Sequence, residues 1–364
     1  MSHALITVFS QLKTGEQVAE LPGAFDVVYG ERLNQPGFAS LKLPYTMLPD
    51  SNGALVVPLK EALEDGVHEI GIRRGGTVVW LGPLREIVEE IGERGSGSID
   101  LTAEGLGGYL WQWHITGILP NTNAAGHFVN VDQATIAKSF IDHHQAKGGG
   151  ATFGIVTTGV GTTGKLRDRR EYDAYRGLVV GDVLRDLSQV IDGFDWSITP
   201  ATRAFNVHYP RRGQRREDVT LNRSNIISLR RSRNATDQAS AVLVYGDGYG
   251  EMSPRITRTD SSAVSKYGLT ETKLSLSNTH TPSVLQEHGD TRLAQVKDSP
   301  NVFAATVRLG LNLPYGSFSV GDSLRIVYEH SPWERIDEFR RVVGIDITPF
   351  PSEVAVVYLS PDIA

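Results

Sequence analysis

The same order of short apolar segments occurs twice in this chain, once in its first third and once at its end. In each set a strand-like segment is followed by a turn or loop, a second strand that ends near a glycine, and a third strand. The two sets are residues 69–73, 77–82 and 98–103, and residues 323–328, 341–344 and 353–359. The loops between the segments differ in length, but the order is kept. The repetition predicts two similar small β-barrels in one chain.

The other segments divide the 364 residues into four predicted units. The fold class is predicted to be mainly β with α+β parts, in which an α/β segment joins two similar small β-barrels and an insertion interrupts the second. The units are residues 1–106 for the first barrel, 107–209 for an α+β domain, 210–250 with 301–364 for the second barrel, and 251–300 for an inserted polar domain.

The α+β domain carries clear local signals. Leu184, Leu187 and Val190 recur at the spacing of one helical face, and an Asp-Gly pair then ends the helix. Residues 194–198 and 204–209 alternate as the two strands of a hairpin. Asp132 is placed to cap a helix that continues to about residue 141. A further helix is predicted near the end of the insertion, over residues 283–296.

Composition excludes several classes of protein. The net charge of −6 argues against a general nucleic-acid binder, so no specific nucleic-acid partner is expected. The absence of cysteine rules out disulfides and thiolate metal sites. No apolar run approaches the roughly 20 residues that a membrane-spanning helix needs. We therefore expect no membrane anchor, and the amino terminus does not have the pattern of a signal peptide.

Residues 159–165 come close to a phosphate-binding loop that ends in Lys165. The apolar residues 153–156 stand where the preceding strand would be, but Leu166 replaces the hydroxyl residue that must bind magnesium. The segment after the loop has no apolar face for a packed helix. The alternatives are a nucleotide site and a flexible glycine- and threonine-rich loop, and the second is favoured. No cofactor is predicted.

The triplet Asp142, His143 and His144 contains potential metal ligands. Adjacent histidines on a helix point in different directions, and no second cluster with ligand spacing occurs. The preferred alternative is a solvated helix end, where histidine also suits the helix dipole. No metal site and no catalytic residue are predicted.

Nine arginines lie between residues 203 and 233. They could contact nucleic acid, but Glu217 and Asp218 interrupt them. The preferred interpretation is a hairpin loop followed by a charged strand face that meets a partner's carboxylates. The predicted interface residues are Arg230, Arg231 and Arg233, while Glu86, Glu89 and Glu90 are interpreted as an exposed edge.

The layout resembles the tail hub, or baseplate-hub-like minor tail, proteins of long-tailed bacteriophages. The residues that carry the resemblance are 31–41, 79–84, 181–198, 225–233, 244–246, 321–324 and 339–344. The resemblance implies a homotrimeric ring in which two barrels from each subunit give pseudo-sixfold symmetry. It also implies a place in the virion at the tail tip, after synthesis in the host cytoplasm. The implied partners are the distal tail protein, the tape measure protein, and tip or receptor-binding proteins.

Two hypotheses about function follow. The first is a structural hub, without catalysis, that joins the sixfold tail tube to the threefold tip. The second is an enzyme, either a nucleotide hydrolase that uses Lys165 or a cell-wall hydrolase. Some relatives of the resembled family carry a carboxy-terminal hydrolase, and we expect none here because the sequence stops just after its last predicted strand.

Overall fold

The computed structural model describes residues 5–44, 48–49, 55–57, 59–91, 97–190, 192–248, 253–276, 281–298, 301–329 and 335–362. The first β-rich half ends near residue 104. Its elements are β1 (Ile6–Leu12), β2 (Gln17–Glu20), β3 (Phe25–Arg32), β4 (Gln35–Pro44), β5 (Leu48–Pro49), β6 (Leu55–Val57), α1 (Leu59–Ala62), β7 (His68–Arg74), β8 (Thr77–Ile91) and β9 (Gly97–Glu104). The predicted hairpin between residues 68 and 82 is the pair β7 and β8, which turns at two glycines with positive φ, Gly75 and Gly76.

The middle segment mixes helices with short hairpins, as predicted. Its elements are β10 (His127–Asp132), α2 (Gln133–Gln145), β11 (Leu166–Glu171), α3 (Val180–Ser188), β12 (Asp195–Ile198) and β13 (Phe205–His208), with short 3-10 helices at Leu106–Gln112, Gly150–Phe153 and Ala174–Arg176. Asp132 does cap α2, since its Oδ1 accepts a hydrogen bond of 2.9 Å from the Ala134 amide. β12 and β13 form the predicted antiparallel hairpin.

The second β-rich half is interrupted by a small separate unit. Its own strands are β14 (Arg215–Leu221), β15 (Ile226–Arg233), β19 (Asn301–Arg308), β20 (Ser323–Tyr328), β21 (Ile336–Thr348) and β22 (Val354–Pro361). The interrupting unit contains β16 (Ala241–Tyr245), β17 (Arg255–Thr259), α4 (Ser261–Tyr267), β18 (Glu271–Ser275) and α5 (Pro282–Val296).

The insertion begins earlier along the chain than the sequence indicated. β16 lies in the predicted second barrel, but it pairs with β17 and β18 in a sheet of three strands. Val242 and Val244 of β16 are fully buried against Leu285 of α5. The prediction was wrong for this strand because its apolar alternation fits any sheet, and only pairing decides which one.

The two halves share one sheet of 13 strands within the described residues. Its main path is β15-β19-β22-β21-β3-β4-β9-β8-β7-β1-β2, and β20 joins it beside β21 and β14. The prediction of a mainly β chain with α+β parts is confirmed. Closure of either half into a ring of paired strands is not seen among the described residues. Instead β3 of the first half pairs with β21 of the second.

The duplication is present in the strand registers. In the first half β8 pairs with β9 from Leu84↔Ala103, then skips one residue and continues from Glu86↔Thr102 to Glu90↔Ser98. In the second half β21 pairs with β22 from Arg340↔Pro361 to Val342↔Leu359, skips one residue, and continues from Gly344↔Tyr358 to Thr348↔Val354. The same irregularity at the same step makes Gly344 the counterpart of Glu86. The two halves therefore share one order of five strands. It is β3-β4-β9-β8-β7 in the first half and β15-β19-β22-β21-β20 in the second.

Candidate subunit interface

The pairing of β3 with β21 is a strand-to-strand contact between the two halves of the chain. It is antiparallel and runs from Gly344↔Arg32 to Ile347↔Tyr29. Ile347 packs against the hydrophobic cores of both halves. This junction shows which surface of each half is complementary to the other.

An ion pair between Arg32 and Asp346 spans this junction. The Arg32 guanidinium donates through both terminal nitrogens to the Asp346 carboxylate, with an Nη2–Oδ2 distance of 3.0 Å. The Tyr358 hydroxyl donates to the same carboxylate at 2.9 Å, and the Arg32 guanidinium lies 4.8 Å from the centre of the Tyr358 ring. Burial, followed by its hydrogen bond to Asp346, raises the pKa of Tyr358. The sequence alone gave no indication of this pair.

Asp195 adds a second link among three parts of the chain. Its carboxylate is buried, pairs with Arg341 of β21, and accepts hydrogen bonds from the Arg212 amide at 2.6 Å and the Asn34 side chain at 2.9 Å. Asn34 in turn accepts from the Trp196 amide at 2.8 Å. The hairpin of the α+β segment is thereby fixed to the turn after β3 and to the second half.

The predicted interface arginines lie at an end of the large sheet. Arg230, Arg231 and Arg233 are on β15, which pairs on one side with β19 and, within the described residues, is the edge of its sheet. Arg230 and Arg233 are exposed, while Arg231 is half-buried, with its guanidinium 5.4 Å from the centre of the Phe303 ring. The structure brings the three arginines together on one strand.

The carboxylates that the sequence suggested as an exposed edge lie on the second part of β8. Glu86, Glu89 and Glu90 are all exposed there, and so is Val88. This part of β8 pairs with β9 on one side, whereas β7 pairs only with residues 77–83. Within the described residues its other side is open, like the outer side of β15.

The remaining arginines of the basic run have different neighbours. Arg203 pairs with Glu69, whose side chain has no exposed surface and also accepts a hydrogen bond of 2.7 Å from the Tyr109 hydroxyl. Arg211 pairs with Asp362, Arg212 with Glu31, Arg215 with Glu217, and Arg216 with Asp218. These contacts make the run a set of internal and local ion pairs rather than one basic patch.

Residues 159–165 do not form a phosphate-binding loop. A 3-10 helix, Gly150–Phe153, precedes them where a strand is required, and the strand β11 follows them where a helix is required. Two of the loop amides are already occupied, because Asp132 Oδ2 accepts hydrogen bonds from the Thr163 amide at 2.9 Å and the Gly164 amide at 2.7 Å. Lys165 pairs with Asp192 across 2.6 Å. The loop therefore binds a carboxylate of its own chain.

The histidines at the end of α2 are packed rather than solvated, so the preferred sequence interpretation was wrong about their environment. The His144 ring stacks on Trp113 with centres 4.1 Å apart and planes at 5°. Burial lowers the pKa of His144 to about 4, so the ring is neutral near pH 7 and gains nothing from the helix dipole. Asp142 accepts a hydrogen bond of 2.7 Å from the Thr157 hydroxyl. Within the described ranges, no three potential ligands group around a metal position.

A cavity of about 380 Å³ lies where the two halves meet the α+β segment. Tyr29, Trp80 and Trp196 contribute to its wall, and Glu31 is the carboxylate among its lining residues. Glu31 already pairs with Arg212. The lining residues that the structure describes thus supply no second carboxylate for acid–base chemistry.

Comparison with known proteins places this geometry in a known class of folds. No protein-family model matches the chain, and no curated protein matches it. Among solved structures, it is similar to the 43 kDa tail protein of prophage MuSo2 from Shewanella oneidensis, with a TM-score of 0.66, 16% identity, and 98% of each chain covered. The chain has the fold of prophage tail proteins.

Two further tail proteins support the same fold. The tail protein from Neisseria meningitidis MC58 matches with a TM-score of 0.62 and 12% identity, covering 98% of this chain and 97% of that one. The prophage tail protein gp18 from Listeria monocytogenes EGD-e matches with a TM-score of 0.60 and 12% identity, covering 99% and 95%. In the part of this chain that the structure describes, no helix has the length and apolar character needed to cross a membrane.

Proposed function

We propose that this chain is a structural hub of a bacteriophage tail tip. In this proposal three copies form a ring that joins the sixfold tail tube and the distal tail protein to the threefold tip. The observation that carries the proposal is the duplication of strand order and register within one chain. Three copies of a duplicated chain present six similar surfaces, so such a ring is compatible with a sixfold partner on one side and a threefold partner on the other.

The tail-protein fold over nearly the whole chain supports the same proposal. The remaining partners in the proposal are the tape measure protein and the tip or receptor-binding proteins, and the location is the tail tip of the virion after synthesis in the host cytoplasm. No catalytic role is proposed. The loop that suggested a nucleotide hydrolase donates two of its amides to Asp132. Among the described residues that line the cavity between the halves, Glu31 is the one carboxylate, and it is paired with Arg212.

The test is a cryo-electron microscopy reconstruction of the tail of the phage or prophage particle that encodes this chain. The proposal predicts three copies at the junction of tube and tip, with the two halves of each copy alternating around the axis. A ring of six copies, or the absence of the chain from that junction, would contradict it. Deleting the gene should give particles without a functional tail, and supplying the intact gene in trans should restore them.

A further inference from the structure

The junction within the chain pairs β3 of the first half with β21 of the second half. Each of these strands has a corresponding strand in the other half that takes no part in the junction. β3 corresponds to β15, because Tyr29 pairs with Ala39 of β4 as Arg231 pairs with Phe303 of β19. Ala39 and Phe303 are themselves paired with equivalent residues of β9 and β22. β21 corresponds to β8 by the shared irregularity in register. The leftover strands are therefore β15 and the second part of β8, both open on one side within the described residues.

We propose that β15 of one copy pairs antiparallel with residues 86–90 of β8 in a second copy, in the register that β3 has with β21. In the chain Ile347 lies opposite Tyr29, and Asp346 lies opposite Gly30. When this register is transferred to the corresponding residues of β8 and β15, Glu89 of the second copy lies opposite Arg231, and Val88 lies opposite Ser232. One step further along the strand, Glu90 lies beside Arg230.

Charge supports this choice of partner. One open edge carries Arg230, Arg231 and Arg233, and the other carries Glu86, Glu89 and Glu90. Opposite charges in facing cross-strand positions stabilise a pair, and like charges destabilise it. Charged edges also discourage unspecific pairing. Two β15 edges would repel each other, so the pattern favours the β8 edge of another copy.

The proposed contact is head-to-tail, because β15 of each copy meets β8 of the next. Contacts of this kind close into a ring when the rotation per copy divides a full turn. Each chain then contributes one internal junction and one external junction of the same geometry. The number of three copies rests on the proposed hub function, but the strand pairing and its register rest on the internal duplication.

The chain contains no cysteine, so any disulfide between two introduced cysteines reports the register without cross-links from native cysteines. Ser232→Cys with Val88→Cys joins two exposed positions that the proposal places opposite each other. Ser228→Cys with Val88→Cys is the matched control, since Ser228 is an exposed serine of β15 about 13 Å further along the strand. That separation is beyond the Cα distance of about 7 Å that a disulfide permits.

The purified full-length variants are oxidised at high protein concentration and separated on a non-reducing gel. We expect covalently linked dimers and trimers from the Ser232 pair, at a yield at least tenfold above that of the Ser228 pair. No cross-link from the Ser232 pair, or equal yields from the two pairs, would overturn the proposal.

A charge exchange gives a second readout in the same assay. Arg230→Glu in the Ser232 and Val88 cysteine background should lower the cross-linking yield severalfold, and adding Glu90→Arg should restore it. Failure of the second change to restore the yield while both variants unfold cooperatively would also count against the register. Cross-linking in solution together with absence of the chain from the tail tip would instead reject the hub function and leave the strand pairing intact.

Discussion

Arg32 and Asp346 are separated by 314 positions in the sequence and form a two-pronged ion pair across the junction of the two halves. The Asp346 side chain is 11% exposed and that of Arg32 is 26% exposed, so water screens the pair only in part. Because Tyr358 and Arg32 both donate to this carboxylate, its removal leaves two donors without their acceptor. The pair therefore contributes to holding the halves together.

We predict that Arg32→Ala lowers the free energy of unfolding by about 2 kcal/mol, because it leaves a mostly buried carboxylate without its cation. Arg325→Ala is the matched control, since Arg325 makes a similar two-pronged pair with Asp337 at the surface. That change should cost much less, because water screens an ion pair at the exposed surface. Urea denaturation measures both, and equal losses would show that burial of the junction pair does not matter.

Glu69 gives a second prediction, because its fully buried carboxylate pairs with Arg203 and accepts hydrogen bonds from Tyr109 and Gln11. Glu69→Gln leaves a buried guanidinium without a counter-charge and should destabilise the protein by about 3–5 kcal/mol. Adding Arg203→Met should recover part of that loss, since both charges are then gone. Denaturation of the single and double variants tests this, and a double variant less stable than the single one would contradict it.

The loop at residues 159–165 should bind no nucleotide. Titration calorimetry with ATP or GTP and magnesium is expected to show no heat of binding, and micromolar binding that Lys165→Ala abolishes would refute this. Asp132→Ala should instead lower the free energy of unfolding by about 2 kcal/mol, because the carboxylate caps α2 and accepts from the loop amides. Lys165→Ala serves as the control, since its ion pair with Asp192 is exposed.

The inserted unit should be removable, but only if β16 is removed with it. Arg233 and Asn301 face each other across β15 and β19, so a short glycine turn can replace the residues between 234 and 300. This variant should unfold cooperatively. Replacing only residues 251–300 should give an aggregating protein, because Val242 and Val244 of β16 lose their cover. Size-exclusion chromatography distinguishes the outcomes, and equal behaviour of the two deletions would contradict this division.

The packed histidine at the end of α2 predicts a pH dependence. The His144 pKa is lowered to about 4 in the folded state, against an ordinary value of about 6.5. Between these values the unfolded chain binds the extra proton, so stability falls as the pH drops from about 6.5 to 4. His144→Phe should keep the stacking on Trp113 and reduce this slope. Thermal unfolding across that range measures it, and an unchanged slope would show that other groups set the acid response.

Local features of this fold were predictable because each depends on neighbours in the sequence. The cap by Asp132, the apolar face with Leu184 and Leu187, and the hairpin of β7 and β8 all follow from spacing within about ten residues. The duplication was also visible as an order of segments. Its register was hidden, because loops of different lengths separate corresponding strands.

The candidate interface was predicted in part. The sequence indicated that Arg230, Arg231 and Arg233 share a strand and that Glu86, Glu89 and Glu90 form an exposed edge. It did not indicate that β15 and β8 are the counterparts of β3 and β21, the two strands that pair at the junction within the chain. That correspondence needs the pairing of β21 with β22 and of β8 with β9, which no local pattern records.

The sequence by itself determined local elements such as α2, α3 and the hairpin of β7 and β8, because alternation and capping act between residues close in the chain. Only the tertiary structure decided which strands pair. β16 pairs with strands of the insertion and not with the second half, and β3 of the first half pairs with β21 of the second, although the patterns of β16 and β3 are those of ordinary strands. The physical reason is that a strand's alternation fixes which face is buried, while its backbone groups can pair with any strand of compatible register. The choice of partner is therefore a property of the folded chain as a whole.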